Sequence, residues 1–135
     1  MIRLARPSCR AAIGFCLSLL PASGALAMSD LQGIWRLAAI DGAEVTVTVT
    51  LDLTEPGRIA GQGPCNRYSG PNGASLPDLR IGPVISTKMA CPDMALEGTY
   101  FSALSGATRA TLGKDDLLVL SGDGGTDLIF RRQTE

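Results

Sequence analysis

Residues 45–54 read VTVTVTLDLT, and this stretch decides the fold class. Valine and leucine alternate with threonine and aspartate along it. A period of two in a segment rich in β-branched residues predicts a strand with one buried face. The Glu-Pro-Gly sequence at residues 55–57 ends the strand, and residues 58–61 predict a return strand. We therefore expect a β-hairpin at the centre of the protein.

Further short strands are predicted on both sides of this hairpin. Residues 33–40 form the first, which ends at Asp41-Gly42, a dipeptide typical of tight hairpin turns. After the hairpin, apolar runs separated by turn residues predict extended segments at residues 76–81, 84–89, 110–112, 117–120 and 128–130.

One helix is predicted over residues 93–107. Asp93 is placed to cap it, and Glu97 lies in its first turn, where a negative charge favours the helix dipole. The helix has one apolar stripe, formed by Leu96, Tyr100, Leu104 and Ala107. The predicted fold is mainly β (α+β): an antiparallel meander or a partly closed β-barrel or roll with one packed α-helix near residues 93–107.

Composition excludes several classes of protein. The chain has 135 residues, of which 45% are hydrophobic and 19% charged, as in one globular domain. It contains no histidine, which excludes a Ser-His-Asp or Cys-His nucleophile system and a histidine-ligated zinc site. We expect no metal and no cofactor.

The first 27 residues have the pattern of a secretory signal peptide. Three arginines precede the apolar run at residues 11–20, and Ala-Leu-Ala follows at residues 25–27. The apolar run is shorter than the roughly 20 residues of a membrane span. Cleavage after Ala27 would leave a domain at residues 28–135. A retained amphipathic anchor is the alternative, and lipid anchoring at Cys16 is disfavoured because the bulky Phe15 precedes it.

Removal of this segment changes the charge and the cysteine count. Three of the 12 basic residues and none of the 13 acidic ones lie before residue 28, so the mature chain has a formal charge of −4. Such a chain is a poor partner for nucleic acid. The mature chain keeps Cys65 and Cys91, which can form one disulfide in an oxidising compartment. Two free thiols or a metal site are the alternatives, and the second lacks further ligands.

Two segments resemble the motifs of a known family. Residues 65–70, CNRYSG, and residues 81–93, IGPVISTKMACPD, are similar to the two motifs of the META domain, or HslJ-like, family of bacterial envelope proteins. Residues 31–37, LQGIWRL, look like the first strand of that family, and Glu97 fits as well. Pro64 departs from the pattern, because the family usually has glycine before the cysteine.

The resemblance implies a compact β domain with one helix, exported or lipid-anchored in the bacterial envelope. Members are associated with heat or envelope stress and in some cases with tolerance to novobiocin, without an established catalytic activity. Because Cys65 and Cys91 lie at corresponding ends of the two motifs, we expect a disulfide to bring the motifs together.

The candidate interaction patch consists of Asn66, Arg67, Tyr68 and Lys88. Arg67 can supply a planar, permanently charged fork to a ligand. The competing interpretation is structural: Asn66 would occupy a left-handed turn, and Tyr68 would pack in the core with a hydrogen-bonded hydroxyl. Lys88 would then be a surface residue paired with Glu97 or Asp93.

Other groups of reactive side chains lack the features of a catalytic or calcium-binding site. Ser86 and Lys88 share a face of a strand, but nothing in the sequence supplies an oxyanion hole for a Ser-Lys nucleophile. Asp123 and Asp127 lack the spacing of a calcium loop and predict a hairpin loop, and the acidic pair at residues 115–116 predicts a turn.

The sequence therefore predicts a non-catalytic exported envelope protein in the periplasm, acting as a stress-response or binding module. The alternative is a small disulfide-stapled inhibitor of an envelope or foreign hydrolase, and a third possibility is a hydrolase that uses Ser86 or an acidic pair. We expect a monomer whose mature chain has no transmembrane span and whose partner is an envelope protein or a small ligand.

Overall fold

The computed structural model describes residues 28–134. The predicted signal peptide at residues 1–27 lies outside the described residues. The elements in chain order are α1 (Met28–Leu31), β1 (Ile34–Ile40), β2 (Ala43–Glu44), β3 (Thr50–Asp52), β4 (Arg58–Gln62), β5 (Arg67–Pro71), β6 (Ile85–Ser86), α2 (Met94–Gly106), β7 (Ala107–Leu112), β8 (Leu117–Gly122) and β9 (Leu128–Arg132). No helix within residues 28–134 is long and apolar enough to cross a membrane.

The strands form one antiparallel sheet in the order β6-β5-β4-β3-β1-β9-β8-β7, with β2 paired to β1. Over the described residues the sheet does not close between β6 and β7, and α2 packs against it. The predicted mainly β fold with one packed helix is confirmed. The extended segment predicted at residues 76–81 does not form a strand: residues 76–77 lie in a turn, and two isolated bridges follow, from Asp78 to Arg109 of β7 and from Ile81 to Asn72.

The long strand predicted at residues 45–54 is wrong in extent. Only β2 and β3 pair with β1 around this stretch, and residues 45–49 lie outside the ladder. The Val45 amide donates to Ala38, whereas the amide of the adjacent Leu37 donates to Val49. Val45 and Val49 are four positions apart, whereas their partners in β1, Ala38 and Leu37, are adjacent. Residues 46–48 therefore have no partners in β1 and bulge out of the ladder. The predicted alternation of burial still holds, because the valines and leucines are more buried than the threonines between them.

The strand predicted at residues 84–89 is also shorter than expected. It consists of Ile85 and Ser86 in β6, which pair with Ser69 and Tyr68. Beyond Thr87 the chain turns away, because both backbone groups of Met89 are hydrogen-bonded to the side chain of Asn66.

The core lies between the inner face of the sheet and α2. The side chains of Tyr100 and Leu104 on α2 are fully buried, as are those of Trp35 of β1 and Phe130 of β9. The ring centroid of Phe130 lies 6.5 Å from that of Tyr100. The predicted apolar stripe is confirmed for Tyr100 and Leu104, whereas Leu96 is half-buried and Ala107 belongs to β7. The predicted side-chain cap is wrong: Asp93 precedes the helix, but its carboxylate makes no capping hydrogen bond.

Candidate functional site

A disulfide joins Cys65, in the loop between β4 and β5, to Cys91, which precedes α2. The two Cα atoms are 5.7 Å apart. The sequence predicts this pairing, and it brings the two motifs into contact. Its position next to the start of α2 places the first turn of the helix beside the loop at residues 63–66.

Glu97 occupies the centre of this junction. The residue is 4% exposed, and its Oε2 accepts hydrogen bonds from the Cys65 amide at 2.7 Å and the Asn66 amide at 2.8 Å. Oε1 accepts a third from the Asn66 side-chain amide at 2.7 Å. Burial acts to raise the pKa of Glu97, but these hydrogen bonds and the positive charge of Lys88 outweigh it, so the pKa lies below its usual value.

Asn66 connects three segments of the chain. Besides its contacts to Glu97, its Oδ1 accepts from the Thr87 hydroxyl at 2.9 Å and from the Met89 amide at 2.7 Å, and its Nδ2 donates to the Met89 carbonyl at 3.0 Å. Its backbone is not among the positive-φ positions, so the predicted left-handed turn at Asn66 is wrong. The residue type is required here because only a side chain with both donors and acceptors can satisfy this set.

The loop before Asn66 is shaped around the carboxylate. A Cβ atom built on Gly63 would lie 2.9 Å from the Asn66 carbonyl oxygen and 3.1 Å from Oε2 of Glu97, so a larger residue would crowd the site. Pro64 has no N–H, but the two amides that follow it are the ones that Glu97 uses. The departure of Pro64 from the usual glycine therefore leaves this carboxylate site intact.

Tyr68 lies on the inner face of β5 and is buried. Its hydroxyl is 2.7 Å from both the Thr50 carbonyl oxygen and the Tyr100 hydroxyl. A carbonyl can only accept, so Tyr68 donates to Thr50 and Tyr100 donates to Tyr68. Burial raises the pKa of both hydroxyls well above the ordinary value. The aromatic ring of Tyr68 also packs edge-on against those of Tyr100 and Phe101.

Arg67 and Lys88, the two basic residues of the predicted patch, are exposed. Within residues 28–134 neither takes part in an ion pair. The predicted pairing of Lys88 with Glu97 or Asp93 is therefore not formed, because hydrogen-bond donors of Cys65 and Asn66 already occupy the carboxylate of Glu97. The structure thus separates the predicted patch: Asn66 and Tyr68 face inward, and Arg67 and Lys88 face solvent.

An open groove runs over β4, β5 and β6 beside Arg67. It encloses about 490 Å³, and we call it the Arg67 groove; its lining includes Arg58, Ala60, Arg67, Ser69, Ile85 and Thr87. The register places Arg58, Ala60, Arg67 and Ser69 on one face, because Arg58 pairs with Pro71, Ala60 with Ser69, and Gln62 with Arg67. Ile85 on its border is 71% exposed, although it is a large apolar residue.

The remaining candidate residues stay dispersed. The acidic pair at residues 115–116 lies in an exposed turn with positive φ at both positions, and Asp123 lies in the exposed loop between β8 and β9. Among residues 28–134 no three cysteine, aspartate or glutamate side chains are grouped so that they could hold a metal ion. Ser86 of β6 is half-buried and lies opposite Tyr68.

Sequence reasoning missed the role of Glu97. The sequence predicts that Glu97 interacts with the helix dipole, whereas its carboxylate binds the loop before β5. The signal was present in the spacing, since Glu97, Tyr100 and Leu104 follow each other at i, i+3 and i+7 on one helix face. A glutamate on a buried face requires partners, and the first motif supplies them.

Comparison with known proteins agrees with this architecture. The NMR structure of a protein from Burkholderia xenovorans is 28% identical, covers 98% of this chain and 100% of that chain, and superposes with a TM-score of 0.64. A second NMR structure is 24% identical over 74% of this chain and 88% of its own, with a TM-score of 0.59, and shows the fold alone. No curated protein sequence matches significantly. The family model described as the META domain matches residues 29–135, and the chain therefore belongs to the META domain family.

Proposed function

We propose that this protein is a non-catalytic module of the bacterial cell envelope that acts by binding a partner at the Arg67 groove. One contrast carries the proposal. The inward polar side chains of the two motifs are all engaged, and no buried side-chain nitrogen or oxygen among the described residues lacks a hydrogen-bond partner. Arg67 belongs to the same motif but faces solvent without an ion pair. The motif therefore builds a rigid support and presents one cation from it.

Two observations support export to the periplasm. Family membership suggests an envelope-related protein, and the disulfide is compatible with an oxidising compartment. We propose that residues 1–27 are a signal peptide cleaved after Ala27 and that the mature protein is monomeric. Mass spectrometry of protein purified from the periplasm tests both the cleavage and the bridge, because each lowers the mass of the protein by a defined amount. Retention of residues 1–27 or two free thiols would contradict this part of the proposal.

The engagement of the motif side chains also supports a non-catalytic role. Asn66, Glu97 and Tyr68 hold loops and strands together, and a carboxylate with three donors is not free to exchange protons near neutral pH. We expect no turnover on a panel of ester and glycoside substrates. Turnover that disappears in Ser86→Ala or Lys88→Ala would overturn this expectation and favour a hydrolase.

A genetic experiment tests the role in the envelope. Deletion of the gene is expected to lower survival at high temperature and in novobiocin, and the wild-type gene should restore it. Arg67→Glu should fail to restore survival although the variant folds, whereas Arg109→Glu, which changes an exposed arginine of β7, should restore it. Wild-type survival of the deletion strain under both stresses, or full restoration by Arg67→Glu, would contradict the proposal.

Capture on immobilised protein identifies the kind of partner. A stoichiometric envelope protein retained by the wild type and lost with Arg67→Glu is the expected result. If the retained protein is a hydrolase whose activity falls on binding, the module is an inhibitor, and the stress-response role is wrong. Equal retention by the wild type and Arg67→Glu would show that binding occurs elsewhere.

A further inference from the structure

We propose that the Arg67 groove binds an extended acidic peptide segment whose carboxylates are four residues apart. The inference rests on the proposed function, since it names the chemistry of the partner at the same surface. The groove has a guanidinium group at each end. Arg58 and Arg67 lie on the same face of the β4–β5 pair. Arg58 is opposite Pro71 in one row of paired residues, and Arg67 is opposite Gln62 in another. These rows are four residues apart, which corresponds to about 13 Å along a strand.

Both arginines are accessible to a ligand. Arg67 has no ion pair in the described part of the chain, and Arg58 pairs only with Glu55, at 3.1 Å and with both side chains more than half exposed. An exposed pair of this kind contributes little to stability, so exchange of Glu55 for a ligand carboxylate costs little. Each guanidinium fork can hold a carboxylate through two parallel hydrogen bonds.

The surface between the arginines suits a peptide backbone. Ala60 and Ser69 are paired there on adjacent strands and project from the same face, and their small side chains let another chain approach the sheet closely. Ile85 borders the same region with most of its surface exposed and can contact an apolar side chain. A second hollow of about 420 Å³ adjoins the groove, sharing Arg58, Ser69 and Ile85, so the concave surface extends past Arg58.

Asp52 determines where the negative charges of the ligand can lie. Asp52 of β3 pairs with Ala60 of β4 and therefore lies on the groove face, in the row between those of Arg58 and Arg67. Its carboxylate, an acceptor of hydrogen bonds from the amide and hydroxyl of Thr54, lies beside the middle of the groove. Ligand carboxylates are thus favoured at the two ends and disfavoured at the centre. In an extended peptide, residues i, i+2 and i+4 share a face, so we expect acidic residues at i and i+4 with an apolar residue at i+2.

Fluorescence anisotropy with labelled peptides tests the inference. The peptide Gly-Glu-Thr-Val-Thr-Glu-Gly should bind about tenfold more tightly than Gly-Thr-Glu-Val-Glu-Thr-Gly, which has the same composition and charge but places its carboxylates two residues apart. Arg67→Ala and Arg58→Ala should each weaken binding about tenfold. Arg109→Ala is the matched control, because Arg109 is also exposed and forms a surface ion pair with Asp78 at 3.4 Å. The affinity of this variant for the first peptide should equal that of the wild type.

The outcomes separate this inference from the function on which it rests. Equal affinity for the two peptides, or no effect of Arg67→Ala, overturns it. Binding of a polyuronate oligosaccharide without binding of either peptide also overturns it and identifies an acidic glycan. If the peptides fail but Arg67→Glu still abolishes rescue of the deletion strain, the inference is wrong and the proposed function stands. If the peptides bind with the expected spacing but the deletion strain survives normally, the proposed envelope role fails and the peptide site stands.

Discussion

Replacement of Glu97 by glutamine should destabilise the fold by about 3–4 kcal/mol at pH 7. The variant keeps the shape of the side chain, and its amide oxygen can still accept from the Cys65 and Asn66 backbone amides. Those two hydrogen bonds change from charged to neutral acceptors, which costs about 1 kcal/mol each. The new NH₂ group then meets Nδ2 of Asn66, a donor that lies 2.7 Å from Oε1 in the wild type, and this lost bond adds about 1–2 kcal/mol.

Rotation of Asn66 cannot relieve the conflict. Its Oδ1 accepts from the Met89 amide and its Nδ2 donates to the Met89 carbonyl, so a flipped amide would break both contacts. The loss is therefore a large part of the 5–15 kcal/mol that stabilises a typical domain.

The same side chain gives the stability a defined pH dependence. The pKa of Glu97 is lower in the folded than in the unfolded chain, because hydrogen-bond donors stabilise the charged form. A lowered folded pKa contributes stability that is complete above the unfolded pKa, about 4.3, and is lost as the pH falls through the folded pKa. The difference in free energy of unfolding between wild type and Glu97→Gln should be constant from pH 6 to 8 and shrink progressively below about pH 4.5.

Urea unfolding at a series of pH values measures this difference. Trp35, the one tryptophan in the chain, is fully buried and reports unfolding by its fluorescence. Glu55→Gln is the control, because Glu55 is exposed and its carboxylate forms a surface ion pair with Arg58 at 3.1 Å; its effect should stay below about 1 kcal/mol. A loss below 1 kcal/mol for Glu97→Gln, or a difference that does not change between pH 7 and pH 3, would refute the reasoning.

Four further predictions concern stability. Tyr68→Phe should lower the free energy of unfolding by about 1–3 kcal/mol, and by more than Tyr100→Phe, because it leaves both the Thr50 carbonyl and the Tyr100 hydroxyl without their hydrogen-bond partner. Equal losses for the two variants in urea unfolding would contradict the assigned donor directions. Gly122→Ala should cost about 1–3 kcal/mol, since its Cβ would lie within 3 Å of backbone carbon atoms, whereas Gly124→Ala, with open space around it, should be nearly neutral. Replacement of both disulfide cysteines by alanine should lower the free energy of unfolding by about 3.5 kcal/mol, measured in the same way. Arg67→Gln should change stability by less than about 0.5 kcal/mol, and a larger loss would reveal an internal role for this side chain.

Local patterns in the sequence predicted the elements whose packing depends on their own periodicity. The helix over Met94–Gly106 and the meander of β7, β8 and β9 are confirmed, because their apolar residues follow one period and their turns contain glycine and aspartate. The stretch at residues 45–54 shows the limit of this approach. Its alternation correctly predicted which side chains are buried, but hydrogen bonding depends on the register of β1, where adjacent residues contact Val45 and Val49.

The candidate site shows the same division between local and long-range information. The cysteine pairing could be predicted because residues 28–135 contain only two cysteines. The contacts of Glu97 with Cys65 and Asn66 span more than 30 residues and could not be read from local spacing, although the position of a glutamate on a buried helix face indicated that partners must exist.

The structure explains why one motif contains residues with opposite requirements. Arg67 and Tyr68 are neighbours in β5, so Arg67 faces solvent and Tyr68 faces the interior, whereas Asn66, in the bend before β5, is turned inward by its contacts with Glu97. The inward residues are specified by their hydrogen bonds, and each substitution there has a physical cost that is independent of any partner. Arg67 has no such internal specification, and a neutral polar residue would serve the fold equally well. Since β5 is fixed by the disulfide and the Glu97 contacts on one side and by β4 on the other, Arg67 is held on a rigid strand, and a cation presented in this way loses little conformational freedom when it binds an anion.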